Sequence, residues 1–167
     1  MSRLLVAGIG NIFLGDDGFG VEVAKRLAAE KLPREVTVRD FGIRGLHLAF
    51  EMLEGAYETT LLVDALPRGG TPGTLYLMEP EYDRLPEAEA TDGHAMDPST
   101  VLAMLKSLGG SAGRVLIVGC EPQSVEEGIG LSGPVAHAVG EAVRFVCDIV
   151  ERERKGVVHV SGDSRAD

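Results

Sequence analysis

Short apolar runs alternate with amphipathic stretches along the chain. Leu4 to Ala7 is an apolar run closed by Gly8, the pattern of a strand buried on both faces of a sheet. From Gly18 to Glu30 the period changes: Val21, Ala24, Leu27 and Ala28 share one helical face, and Pro33 ends the region. Glu35 to Asp40 alternates as a second strand, and Leu46 to Leu53 carries a second helical pattern after Gly45. Thr60 to Val63 is a third buried strand ending at Asp64. Gly69, Gly70, Pro72 and Gly73 form a turn before a fourth strand, Thr74 to Met78, expected at an edge or antiparallel. Glu79 to Asp92 is acidic and aperiodic and reads as a surface loop. Pro98 to Leu108 is a helix with Asp97 as its cap. Val115 to Val118 is a fifth strand. Ser132 is placed to cap a last helix, Pro134 to Arg154, whose apolar face includes Val135, Ala138, Val139, Ala142, Val146 and Ile149. The tail from Ser161 to Asp167 is small and polar and is expected to fray.

Strand alternating with helix predicts an α/β fold: a three-layer sandwich with a mostly parallel, twisted five-stranded sheet and helices on both faces. The length, 167 residues with 44% hydrophobic, fits one domain over residues 1–155 and a short polar tail over 156–167. The formal charge of -10 repels phosphate backbones and ranks nucleic acid low as a partner. Two cysteines, Cys120 and Cys147, make neither a disulfide scaffold nor a metal knuckle. Cys120 reads as a small residue at a packed strand end and Cys147 as a buried helix residue. The N-terminal apolar run is too short for a secretory signal, and no stretch is long enough to span a bilayer, so a cytoplasmic protein without membrane insertion is expected.

Ligands of open parallel sheets sit beyond the carboxyl ends of the strands. Asp16 with Asp17, Asp40 and Asp64 fall near that rim. The most distinctive segment is the glycine-rich loop from Gly8 to Gly20, and Asp16 is expected to cap the helix that follows it. A dinucleotide site would begin similarly, with Gly8-x-Gly10 after one strand and Asp40 ending the next. Its third glycine, however, would lie where this chain has Phe13, and two acids occupy the place of a pyrophosphate. Asp17, Asp64 and His94 offer two carboxylates and an imidazole, a suitable ligand set for a borderline divalent ion such as nickel or zinc. Taken singly, Asp64 could equally cap a helix, and His94 could be a solvated side chain.

Gly8-x-Gly10-Asn11 followed by Asp16-Asp17-Gly18-x-Gly20 resembles the opening motif of the hydrogenase maturation endopeptidases. The resemblance continues through Asp40-Phe41-Gly42-Ile43-Arg44-Gly45, Val63-Asp64-Ala65, Pro72-Gly73-Thr74, His94, Gly119-x-x-Pro122 and Gly130-Leu131-Ser132, over roughly residues 3 to 150. It implies a highly specific endopeptidase that removes a C-terminal extension from the nickel-loaded precursor of a nickel–iron hydrogenase large subunit. In that family, residues at the positions of Asp17, Asp64 and His94 are proposed to contact nickel that belongs to the substrate, so no tightly bound cofactor is expected. Well-known members carry glutamate at the position of Asp17; aspartate keeps the charge and is one methylene shorter. Asp40, Gly42 and Arg44 are candidates for substrate contact. Aspartyl-type, carboxylate-led attack by water and metal-assisted attack both remain open. The expected state is a monomer that meets the precursor transiently. The alternatives are a metal-sensing chaperone that binds the precursor without cutting it and a dinucleotide-dependent oxidoreductase.

Overall fold

The computed structural model describes residues 3–85, 97–156 and 165–166. Its elements in chain order are β1 (Leu4–Ile9), a 3-10 turn (Gly15–Gly18), α1 (Phe19–Ala28), β2 (Val36–Gly42), α2 (Gly45–Glu54), β3 (Thr59–Ala65), β4 (Leu75–Met78), a second 3-10 turn (Tyr82–Arg84), α3 (Pro98–Ser107), β5 (Arg114–Cys120), α4 (Gly133–Lys155) and β6 (Arg165–Ala166). The sheet order is β2-β1-β3-β5-β4-β6. β2, β1, β3 and β5 run parallel, while β4 is antiparallel to β5. The expected five strands are therefore present, with the antiparallel one beside the last parallel strand.

The tail departs from the expected fraying. Arg165 and Ala166 pair with Leu77 and Tyr76 of β4 as a two-residue strand. An outer edge with unpaired backbone groups is a template for any nearby chain, and the tail supplies that pairing.

The alternation inside the central strands builds two cores. Leu4, Val6, Leu61, Val63, Leu116 and Val118 face α1 and α4. Leu5, Ala7, Leu62, Val115 and Ile117 face α2 and α3. Every residue of β1 and β3 is buried, which explains why these strands read as unbroken apolar runs. Cys147, expected to be buried, is only partly so and packs at the margin of the core under α4. Asp97 caps α3 as expected, accepting from Thr100 N and Thr100 Oγ1, each at 2.8 Å. Among the described residues, no helix is long and apolar enough to cross a membrane.

The chain leaves β1 through α1 to β2 on one side, then returns through α2 to β3 on the other. This reversal opens a crevice at the carboxyl ends of β1 and β3. α1 begins almost in contact with those ends. A Cβ on Gly20 would lie 2.0 Å from Val63 O and 2.5 Å from Ile9 O, so only glycine permits the approach.

Candidate functional site

At the mouth of the crevice the backbone of Gly10 takes φ +133°, which L side chains rarely adopt. A Cβ there would fall 1.9 Å from Asp17 O and 3.2 Å from Asp64 Oδ1. Gly10 therefore lets the loop after β1 fold down onto the end of β3, bringing Asp17 and Asp64 to one place. Asp17 is half-buried, and its Oδ2 accepts from Asn11 N at 2.8 Å. Asp64 is 2% exposed, and its Oδ1 accepts from Ala65 N at 2.8 Å.

Both carboxyls bind protons more tightly than usual. Burial raises Asp64 well above the ordinary aspartate value, and the negative charges of Asp17 and then Asp97 add to this, with the hydrogen bond from Ala65 opposing. Asp17 is raised by burial and, more weakly, by Asp97, with the Asn11 hydrogen bond opposing. Asp64, the more deeply buried, is the member of the pair pushed up further. Sequence reasoning saw Asp97 only as a helix cap. Its place three residues beyond His94, at the end of α3 that faces this rim, was the available signal for its electrostatic part.

Asp16 behaves differently from its neighbour. It is 1% exposed, and its Oδ1 accepts from Ser132 N at 2.7 Å. Its Oδ2 accepts from Gln123 N at 2.8 Å, Ser124 N at 3.1 Å and Ser132 Oγ at 2.8 Å. Burial works against the charge, but the donors on Ser132, Gln123 and Ser124 outweigh it and hold the carboxyl below the usual aspartate value. The expected cap on α1 is thus corrected. The N-cap of α1 is Gly18, without a side-chain cap bond, and Asp16 instead ties the first loop to the start of α4. Ser132 holds the N-cap position of α4, yet its hydroxyl is spent on Asp16. The two loops are also zipped through Gly15 N to Gly128 O and Gly128 N to Phe13 O.

On one side of the acidic pair lies a cleft of 270 Å³ that includes Gly10, Asp40, Gly42 and Arg44. Gly42 has φ +55° and accepts from Gly10 N at 3.0 Å. Arg44 donates through Nε to Phe41 O at 3.1 Å and through Nη2 to Asp40 O at 2.6 Å, so much of its guanidinium buttresses this turn. On the other side a cleft of 200 Å³ runs past Ala65, Arg68 and Asp97. Sequence reasoning also passed over Glu121. It is buried, accepts from Tyr76 OH at 2.6 Å, Arg68 N at 2.9 Å and Gly70 N at 3.0 Å, and so pins the turn after β3.

The structure brings Asp17 and Asp64 together, with Asp40, Gly42 and Arg44 along the adjoining cleft. His94 lies outside the described residues. Among the described residues, no group of three or more His, Cys, Asp or Glu side chains is arranged to hold a metal ion. Cys120 is fully buried, and burial followed by the charges of Asp16 and Glu121 pushes its thiol up to about 12, far from a reactive thiolate.

These features define a doubly wound α/β protein with two carboxylates brought together at its switch point and a cysteine buried away from it. A family model described as hydrogenase maturation protease matches residues 21–149. The chain belongs to the hydrogenase maturation protease family, and it is an endopeptidase of hydrogenase maturation. It is 35% identical over 149 residues to the hydrogenase expression/formation protein HupD of Rhodobacter capsulatus, covering 85% of this chain and 70% of that one. The hydrogenase 2 maturation peptidase from Thaumarchaeota archaeon SCGC_AB-539-E09 superposes with a TM-score of 0.70 at 32% identity, over 89% of this chain and 98% of that one. The hydrogenase maturating endopeptidase HybD of Escherichia coli gives 0.73 at 26% identity, over 90% and 93%.

Proposed function

We propose that this endopeptidase removes a C-terminal extension from the nickel-loaded precursor of a nickel–iron hydrogenase large subunit. It acts in the cytoplasm as a monomer that meets the precursor transiently. Asp17, Asp64 and His94 read the nickel, which arrives with the substrate. The observation that carries this reading is the pairing of Asp17 and Asp64 at the switch point. Among the described residues each carboxylate receives one hydrogen bond, leaving oxygen lone pairs for a ligand. Two acids held this close repel each other, and an approaching divalent cation relieves that repulsion. Hydrolysis adds water across the scissile amide: the hydroxide goes to the carbonyl carbon and the proton to the leaving amine. A carboxylate at the rim can take the proton from water and a protonated one can give it to the amine. The nickel carried by the precursor can polarise the carbonyl.

The test uses matched nickel-loaded and nickel-free precursors, with the parent protein and Asp17→Asn. The parent is expected to shorten only the loaded precursor, without added nucleotide, and the variant to be slower by at least about tenfold. Binding without shortening would identify a chaperone. Equal cutting of both precursors, by a protein that keeps one equivalent of metal through purification, would overturn the substrate-borne nickel.

A further inference from the structure

The 270 Å³ cleft beside the acidic pair has an apolar floor and an apolar mouth. Val21 and Phe41, each 3% exposed, form the floor. Phe13 and Ile43, at 61% and 59% exposure, stand at the mouth on two different loops. Neither loop is slack. Phe13 N donates to Asn11 Oδ1 at 2.9 Å, and Phe13 O accepts from Gly128 N at 2.9 Å. Ile43 sits between Gly42, bonded to Gly10, and Arg44, whose backbone N–H and guanidinium both grip Phe41 O. Two large apolar side chains are thus held out in water by backbone hydrogen bonds, a conformation with no packing gain until something fills the space between them. Of the polar groups around the opening, Arg44 is committed to the carbonyls of Phe41 and Asp40, while Asp40 and Lys25, the latter in an exposed 3.8 Å pair with Glu22, line its polar side.

The cleft also adjoins the acids. Gly10 lines it, and a Cβ on Gly10 would already be 3.2 Å from Asp64 Oδ1. Asn11 gives its N–H to Asp17 and takes the N–H of Phe13, so one residue sets the position of the jaw relative to the acid. An extended peptide advances about 3.3 Å per residue. A side chain seated in the cleft therefore belongs to a residue within about two of a bond held at Asp17 and Asp64. The geometry points to Phe13 and Ile43 as specificity-determining jaws of a subsite for one apolar side chain of the precursor, beside the bond that is cut. This assignment rests on the proposed cleavage reaction and adds which kind of residue must flank the bond.

The experiment compares the parent with Phe13→Ser and Ile43→Ser on the nickel-loaded precursor, and on precursors in which each residue near the cut is replaced in turn by aspartate. Thermal melting checks folding, which these exposed positions should leave intact. In the parent, one apolar position within two residues of the cut should raise KM at least about tenfold when replaced. In the two variants, KM for the unmodified precursor should rise by about tenfold with kcat retained, and the further penalty at that one position should vanish while penalties elsewhere persist. Folded variants with parental KM, or with the positional penalty intact, would overturn the subsite while leaving the peptidase reading untouched. A parent that cuts no loaded precursor would refute the cleavage reading itself and the subsite with it.

Discussion

Replacing Asp16 by asparagine exchanges one oxygen for nitrogen and leaves shape almost unchanged, so its cost isolates the hydrogen bonding. Asp16 Oδ2 takes three donors, from Gln123, Ser124 and the Ser132 hydroxyl, and Oδ1 takes the backbone N–H of Ser132. The asparagine oxygen would turn to the crowded side, which leaves its NH₂ facing Ser132 N–H, donor against donor. The retained bonds lose their charge, at about 1 kcal/mol each, and one buried N–H goes unpaired at about 1–3 kcal/mol. Some of this is recovered as the loop relaxes and water enters, so the expected destabilisation is about 3 kcal/mol. In a chain of this length that lowers Tm by about 6–12 °C. Urea unfolding gives the free energy directly from the shift in midpoint at constant slope. The pH dependence supplies an internal check. The folded carboxyl lies below the ordinary aspartate value of 3.8, so its contribution is fully present above that pH and is lost as pH falls through the folded value. The gap between parent and variant should close in acid. A neutral-pH difference under about 0.5 kcal/mol, the usual scale for an inconsequential surface change, would refute the account of Asp16 as the tie between the two loops.

Asp64→Asn should move stability the other way. The folded Asp64 value lies well above 3.8, so as pH rises past 3.8 the unfolded chain ionises first and the native state loses relative stability until the folded value is passed. The asparagine variant should therefore be more stable than the parent near neutral pH and no more stable below pH 3.8, while losing precursor cleavage. Denaturant melts across pH that run parallel for the two proteins would refute this. Gly20→Ala places a methyl group 2.0 Å from Val63 O and should cost about 3 kcal/mol as α1 is pushed off the strand ends. A variant with the parental urea midpoint would show that the approach is not tight.

The parts of the fold legible in the sequence were those written in local periodicity. β1, β3 and β5 are buried on both faces and appear as apolar runs, while the helices declare one apolar stripe each. Asp64 was placed because it terminates such a run. Asp16 was misjudged because capping logic looks a few residues ahead, whereas its four donors lie on residues 107 to 116 positions away. Glu121 was invisible for the same reason, since its tyrosine partner is 45 residues back in β4. The β6 pairing was hidden because an edge strand of two residues has no period to read.

Adjacent residues of one composition thus come to opposite roles through what surrounds them. A carboxylate can ligate or exchange a proton only with lone pairs the protein has left open. Asp16 has filled its capacity with four protein donors, and those donors keep it charged and fixed. Among the described residues Asp17 and Asp64 each receive one backbone N–H, and burial raises the proton affinity of both. The first group is stabilising and inert; the second is costly and chemically available. The two are linked through the loop that carries both: Asp16 anchors it to the start of α4, and Gly10 lets it descend onto β3. The tie made by the inert acid is therefore a condition for the available pair to meet at the switch point, which is why the motif holds two acids side by side rather than one.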